Sequence, residues 1–115
     1  MKKKWIVAGC LSFSFALSLL LALPDGQADY KNLCLKCHGT EGKGDGPVTK
    51  MVKNQSMGDL SSKEEMTQYS DEDLYKLIAE GGEAVGKAKL MPAHKEKLGE
   101  SEIQAIIAYI KTFQE

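Results

Sequence analysis

The chain contains no arginine: all fifteen of its cationic residues are lysines, set against sixteen acids for a formal net charge of −1. A nucleic-acid binder presents a basic footprint and favours arginine, so this balance argues against that class. Cysteine is scarce and stops early, with Cys10 in an apolar N-terminal run, Cys34 and Cys37 as one close pair, and none beyond residue 37. A structural zinc site takes four ligands, usually from two well separated pairs, and the only distant imidazole here is His94. No strand pair, internal repeat or second domain is visible, which removes the βαβ setting that a thioredoxin-like cysteine pair needs. A disulfide closing so short a loop would gain little entropy. The single tryptophan is Trp5, close to the N-terminus.

What is present is the run Cys34-Leu35-Lys36-Cys37-His38. Two cysteines three residues apart on one helical turn face the same way and can add to the two vinyl groups of one porphyrin edge. The next residue offers its imidazole to the iron. These residues therefore point to one covalently attached haem, with His38 as an axial ligand.

The N-terminus points to export. Lys2, Lys3 and Lys4 precede an uncharged stretch from Trp5 to Leu23, which Pro24, Asp25 and Gly26 interrupt. Gly26-Gln27-Ala28 supplies small residues where an export peptidase reads, so cleavage is expected after Ala28. Residues 1–28 then form a signal peptide, and nineteen uncharged residues could just span a bilayer if left uncleaved. Val7-Ala8-Gly9-Cys10 resembles a lipobox, but only five uncharged residues separate Lys4 from Cys10, so Cys10 reads as part of the leader.

Residues 29–115 make one small domain with twelve lysines against fifteen acids, a net charge of −3. So short a chain buries little apolar surface unaided, and a porphyrin would supply much of its core. Three helices are expected. The first runs from Asp29 to Cys37. The second starts at Ser70, capped reciprocally with Asp73, carries Leu74, Leu77 and Ile78, and stops at Gly81-Gly82. In the third, Ser101 and Gln104 form a capping box, and Ile103, Ile106, Ile107 and Ile110 recur at helical spacing beside Tyr109 and Phe113. Val48–Gln68 has room for one further short helix.

An axial ligand opposite His38 is sought among soft or imidazole side chains. Met91 lies in the loop between the second and third helices, and Pro92 restricts its backbone to extended conformations. Its thioether suits haem iron, and Met91 is the expected sixth ligand. Met51, Met57, Met66 and His94 compete on the same chemical grounds. With Met91 bound, His94 is expected at the surface.

Residues 29–115 resemble a small monohaem class I cytochrome c of the bacterial envelope. The resemblance rests on Cys34-Leu35-Lys36-Cys37-His38-Gly39, Gly44-Asp45-Gly46-Pro47, Gly81-Gly82, Met91-Pro92, and Ile106 with Tyr109-Ile110. It implies an all-α fold, with three main helices and long loops around one covalent haem c. It also implies near-perpendicular first and last helices that bring Tyr30 against Ile106 and Tyr109. By the same resemblance, the Pro47 carbonyl accepts a hydrogen bond from His38. The mature domain lacks tryptophan and arginine, which often hold haem propionates in that family, so those partners stay unassigned.

Iron saturated by His38 and Met91 has no open position, so a soluble one-electron carrier is expected and an enzyme is not. The competing functions are a haem enzyme or gas sensor with Met91 displaced, and a tethered domain of an oxidase or reductase complex. Lys87, Lys89, Lys95 and Lys97 surround Met91, whereas Asp59 to Glu83 carries eight acids and two lysines. That asymmetry suits redox donors and acceptors with acidic docking patches. A monomer in the periplasm or cell envelope is expected, touching a membrane only if the leader is retained.

Overall fold

A computed structural model describes residues 23–115, so most of the leader, including Cys10, lies outside the described residues. Among the described residues five α-helices follow one another: α1 Gly26–Leu33, α2 Leu35–His38, α3 Lys63–Met66, α4 Asp71–Glu80 and α5 Glu100–Lys111. Three single 3₁₀ turns, Pro47–Lys50, Glu83–Val85 and Thr112–Gln114, punctuate the loops. Among the described residues there is no strand, and the fold is all-α as expected.

The first helix differs from expectation at both ends. It starts at Gly26 because the Asp25 carboxylate caps it, accepting from the Ala28 amide at 3.1 Å. It stops at Leu33 because Cys34 has a distorted backbone, φ −113° and ψ −34°, and α2 begins beyond it. The chain still turns continuously through the break, since the Cys34 amide bonds to the Tyr30 carbonyl and the His38 amide to the Cys34 carbonyl.

The principal packing is α1 across α5. At the crossing Gly26 lies against backbone: a Cβ there would stand 2.1 Å from the Ala105 carbonyl oxygen. Only a residue without a side chain permits that approach. One turn later Tyr30 is 0 % exposed, and so is Ile106 opposite. Tyr30 also meets Tyr109 and Phe113 edge-on, at centroid separations of 5.3 and 5.2 Å. The T-shaped geometry sets positive ring edges against negative faces.

The capping box of α4 forms as read, with Ser70 and Asp73 bonding each other's amides. Leu74, Ile78 and Ala79 face the core, and the helix ends at Gly81, whose φ of +84° favours glycine. The Ser101–Gln104 box does not form. Helix α5 begins earlier, with Gly99 as an N-cap that lacks a side chain, and Ser101 instead bonds Glu102. Its isoleucines behave as their spacing predicts: Ile103, Ile106, Ile107 and Ile110 are all buried. Each contributes about 1.5–3 kcal/mol relative to exposure. Helix α3, capped by Ser62, is the further short helix and contributes buried Met66.

Candidate functional site: a four-donor apolar cavity

The end of α1, α2, the loop around Met57, α3, α4 and the segment Lys87–His94 enclose a cavity of about 290 Å³. Its apolar wall includes Leu33, Leu60, Met66, Leu74 and Leu77. Four candidate donors, Cys34, Cys37, His38 and Met91, line this same space although Met91 lies more than fifty residues from the others.

The short α2 and the Cys34 break before it set the first three. Cys34 and Cys37 are free thiols, Cys34 being 8 % exposed. Burial, reinforced by Asp29 and Cys37, pushes the Cys34 thiol up to about 11, so it stays protonated at neutral pH. Burial also lowers the His38 pKa below 6.5, and the Met57 backbone partly opposes that shift. A neutral imidazole is the ligating form. Nδ1 of His38 is the buried side-chain polar atom left without a hydrogen-bond partner among the described residues. An orphaned imidazole nitrogen beside two free thiols and an apolar cavity fits a covalently attached haem.

The Met91 segment is held from α4 by Gly81 and Gly82. The Gly82 amide donates to the Met91 carbonyl at 2.9 Å, and a Cβ on Gly81 would approach the same oxygen to 2.9 Å. These glycines, readable in sequence only as a helix stop, also seat the loop that carries the thioether. Met91 is partly buried and packs against the core, while Pro92 faces solvent.

Two expectations are corrected. His94 is not a surface residue: it is 6 % exposed, lines the cavity, and directs both its amide and Nδ1 at the Ile78 carbonyl, at 3.0 and 3.3 Å. This burial has no local signal, because its partner Ile78 lies sixteen residues away on α4. The Pro47 carbonyl and His38 are not hydrogen-bonded, Nδ1 of His38 having no partner among the described residues. Pro47 lines a separate depression with Leu35, Gly39 and Asp45, outside the cavity wall. Of the competing methionines, Met57 and Met66 reach the cavity, whereas Met51 is 84 % exposed.

The lysine cluster is partly neutralised. Lys89 pairs with Glu83 at 3.5 Å, and Lys87 lies over the Tyr69 ring, 5.3 Å from its centroid, at the cavity wall. Lys95 and Lys97 are exposed.

An all-α domain that gathers two thiols, an imidazole and a thioether around one apolar cavity has the fold and donor set of a c-type cytochrome. Residues 22–110 match the family model described as cytochrome C oxidase, cbb3-type, subunit III, and the chain belongs to that family. The protein is a small cytochrome c, an electron-transfer protein whose class carries covalently bound haem c. It is similar to the solved structure of KustC0563 c-type cytochrome, with a TM-score of 0.62 and 25% identity, over 79% of this chain and 99% of that one. The fold also matches a chain of the Kuenenia stuttgartiensis reducing HAO-like protein complex Kustc0457/Kustc0458, with a TM-score of 0.61 and 24% identity. That match covers 76% of this chain and 40% of the longer one. No curated protein matches.

Proposed function

We propose that this chain is a monohaem one-electron carrier of the bacterial envelope, with His38 and Met91 as axial ligands and Cys34 and Cys37 as thioether anchors. The observation that carries this reading is the convergence of all four side chains on one cavity. When bound there, the haem would supply an Fe(II)/Fe(III) couple. The protein's part is to saturate the iron, exclude water and fix the porphyrin edge. Leu60, Met66, Leu74 and Leu77 keep the surroundings apolar, which with a thioether ligand favours the ferrous state. Two protein ligands leave no site for a substrate, so the chain acts as a carrier and catalyses no bond-making reaction. Its partners are redox proteins, met by a monomer through the lysine-bearing rim of the cavity.

The test is the absorption spectrum of protein made in a host that attaches haem c. One covalent haem per chain, with the weak far-red band of ferric iron bound to thioether sulfur, is expected. Met91→Ala should abolish that band and open the iron to carbon monoxide. A wild-type protein that lacks the band and takes up carbon monoxide readily would instead be a ligand-binding haem protein. The partial burial of Met91 beside exposed Pro92 is the observation that favours that second reading.

A further inference from the structure

The leader and the folded domain overlap. The small-residue pair that marks the expected cleavage site, Gly26 and Ala28, lies within the first turn of α1. Cleavage after Ala28 would remove Asp25, whose carboxylate accepts from the Ala28 amide at 3.1 Å and whose carbonyl accepts from the Asp29 amide at 3.0 Å. It would also remove Gly26, the point where α1 touches the α5 backbone. The remnant of α1 would be five residues long, below what a helix sustains without tertiary support. A new ammonium group would sit at its N-terminus, where the helix dipole disfavours positive charge. Tyr30 and Ile106, both 0 % exposed, would lose their cover at the crossing. The family match supports the same boundary, since it begins at residue 22 and includes the whole of Pro24–Ala28.

Earlier small-residue pairs offer no good substitute. Ala16 and Ser18 fall inside the apolar run, and a cut there would leave Leu19 to Leu23 as a greasy mature N-terminus. We infer that the chain is not cut after Ala28 and that the uncharged run Trp5–Leu23 stays attached, anchoring the domain to the membrane. Nineteen residues match the length needed to cross the hydrocarbon layer. Lys2, Lys3 and Lys4 set the N-terminus on the cytoplasmic side, which leaves residues 24–115 outside. Only Pro24 separates the run from the Asp25 cap, so the domain is held close to the bilayer surface. Such a carrier reaches partners in the same membrane by lateral diffusion. None of this depends on which side chain takes the sixth position.

The full-length chain, with a C-terminal tag and a haem-attaching host, tests the inference by fractionation and intact mass. The expected product stays with carbonate-washed membranes, is released by detergent, and begins at Met1 or Lys2. A soluble product beginning at Asp29, or any N-terminus downstream of Lys4, overturns it. Two variants test the reasoning separately. Ala28→Gln, at an exposed position, spoils the peptidase site without touching the core, so its mass should differ from wild type only by the substitution. A variant product longer than the wild type would show that the wild type is cut there. Gly26→Val should lower the ratio of folded to unfolded protein about tenfold or more, as overpacking does. Full stability in that variant would remove the premise that Gly26 belongs to the domain.

Discussion

The hydroxyl of Tyr30 donates a 2.6 Å hydrogen bond to the carbonyl of Gly39, the residue after His38. One side chain thus joins the α1–α5 crossing to the end of α2. Tyr30→Phe keeps the ring packing and deletes only this bond. The Gly39 carbonyl retains the Gly42 amide at 3.3 Å, so it is not orphaned. The expected loss is therefore modest, about 0.5–1.5 kcal/mol in denaturant unfolding of the haem-loaded protein. A loss several times larger would mean that the phenol has partners beyond Gly39.

The same phenol makes the fold sensitive to alkali. Burial, the largest cause, raises its pKa above the ordinary 10.0, with smaller contributions from Cys34, Tyr109 and Asp45. The folded state therefore holds the proton more tightly than the unfolded chain. This stabilisation is fully present below pH 10 and is lost as pH rises through the raised value. Unfolding midpoints should fall above about pH 10, and Tyr30→Phe should flatten that limb.

Gly82→Val should disturb Met91 without altering it. A Cβ at Gly82 would lie 2.0 Å from the Ala88 carbonyl oxygen, so the backbone must move, and with it the 2.9 Å bond to the Met91 carbonyl. The expected result is a weakened far-red thioether band and a stability loss of about 1–3 kcal/mol. An intact band in a destabilised protein would show that the glycine pair supports the fold but not the ligand.

Ser70→Ala removes one half of the α4 capping box and leaves the Asp73 amide without its side-chain acceptor. Thermal or denaturant unfolding should register about 0.5–2 kcal/mol. The absorption spectrum should not change, because Ser70 lies outside the cavity wall.

Association with an acidic redox partner should depend unequally on the four lysines. Lys87→Glu and Lys95→Glu together should slow association at low salt and flatten its salt dependence. Lys89→Glu should have less effect, because Glu83 already offsets its charge. Stopped-flow electron transfer across a salt series distinguishes these cases, and identical rates for all variants would discard electrostatic steering.

Elements set by neighbouring residues were legible in the sequence; those set across the fold were not. The reciprocal pairing of Ser70 with Asp73 and the isoleucine stripe of α5 are written within a few residues, and both occur as read. The start of α1 was missed because Asp25 and Gly26 resemble the end of a leader; their capping and packing roles appear only with α5 alongside. Ser101 and Gln104 have the right spacing for a box, but Gly99 adopts the extended cap conformation first, φ −78° and ψ 176°. Cys34, Cys37 and His38 share one motif, whereas the burial of His94 required the Ile78 carbonyl. Pro47 has a place in the sequence pattern but not in the cavity wall.

The break at Cys34 ties the attachment thiol to the helix crossing. This residue sits between two helices at 8 % exposure and lines the cavity beside Leu33. The Tyr30 carbonyl holds the Cys34 amide, so a shift of α1 at the helix crossing would carry the attachment thiol with it.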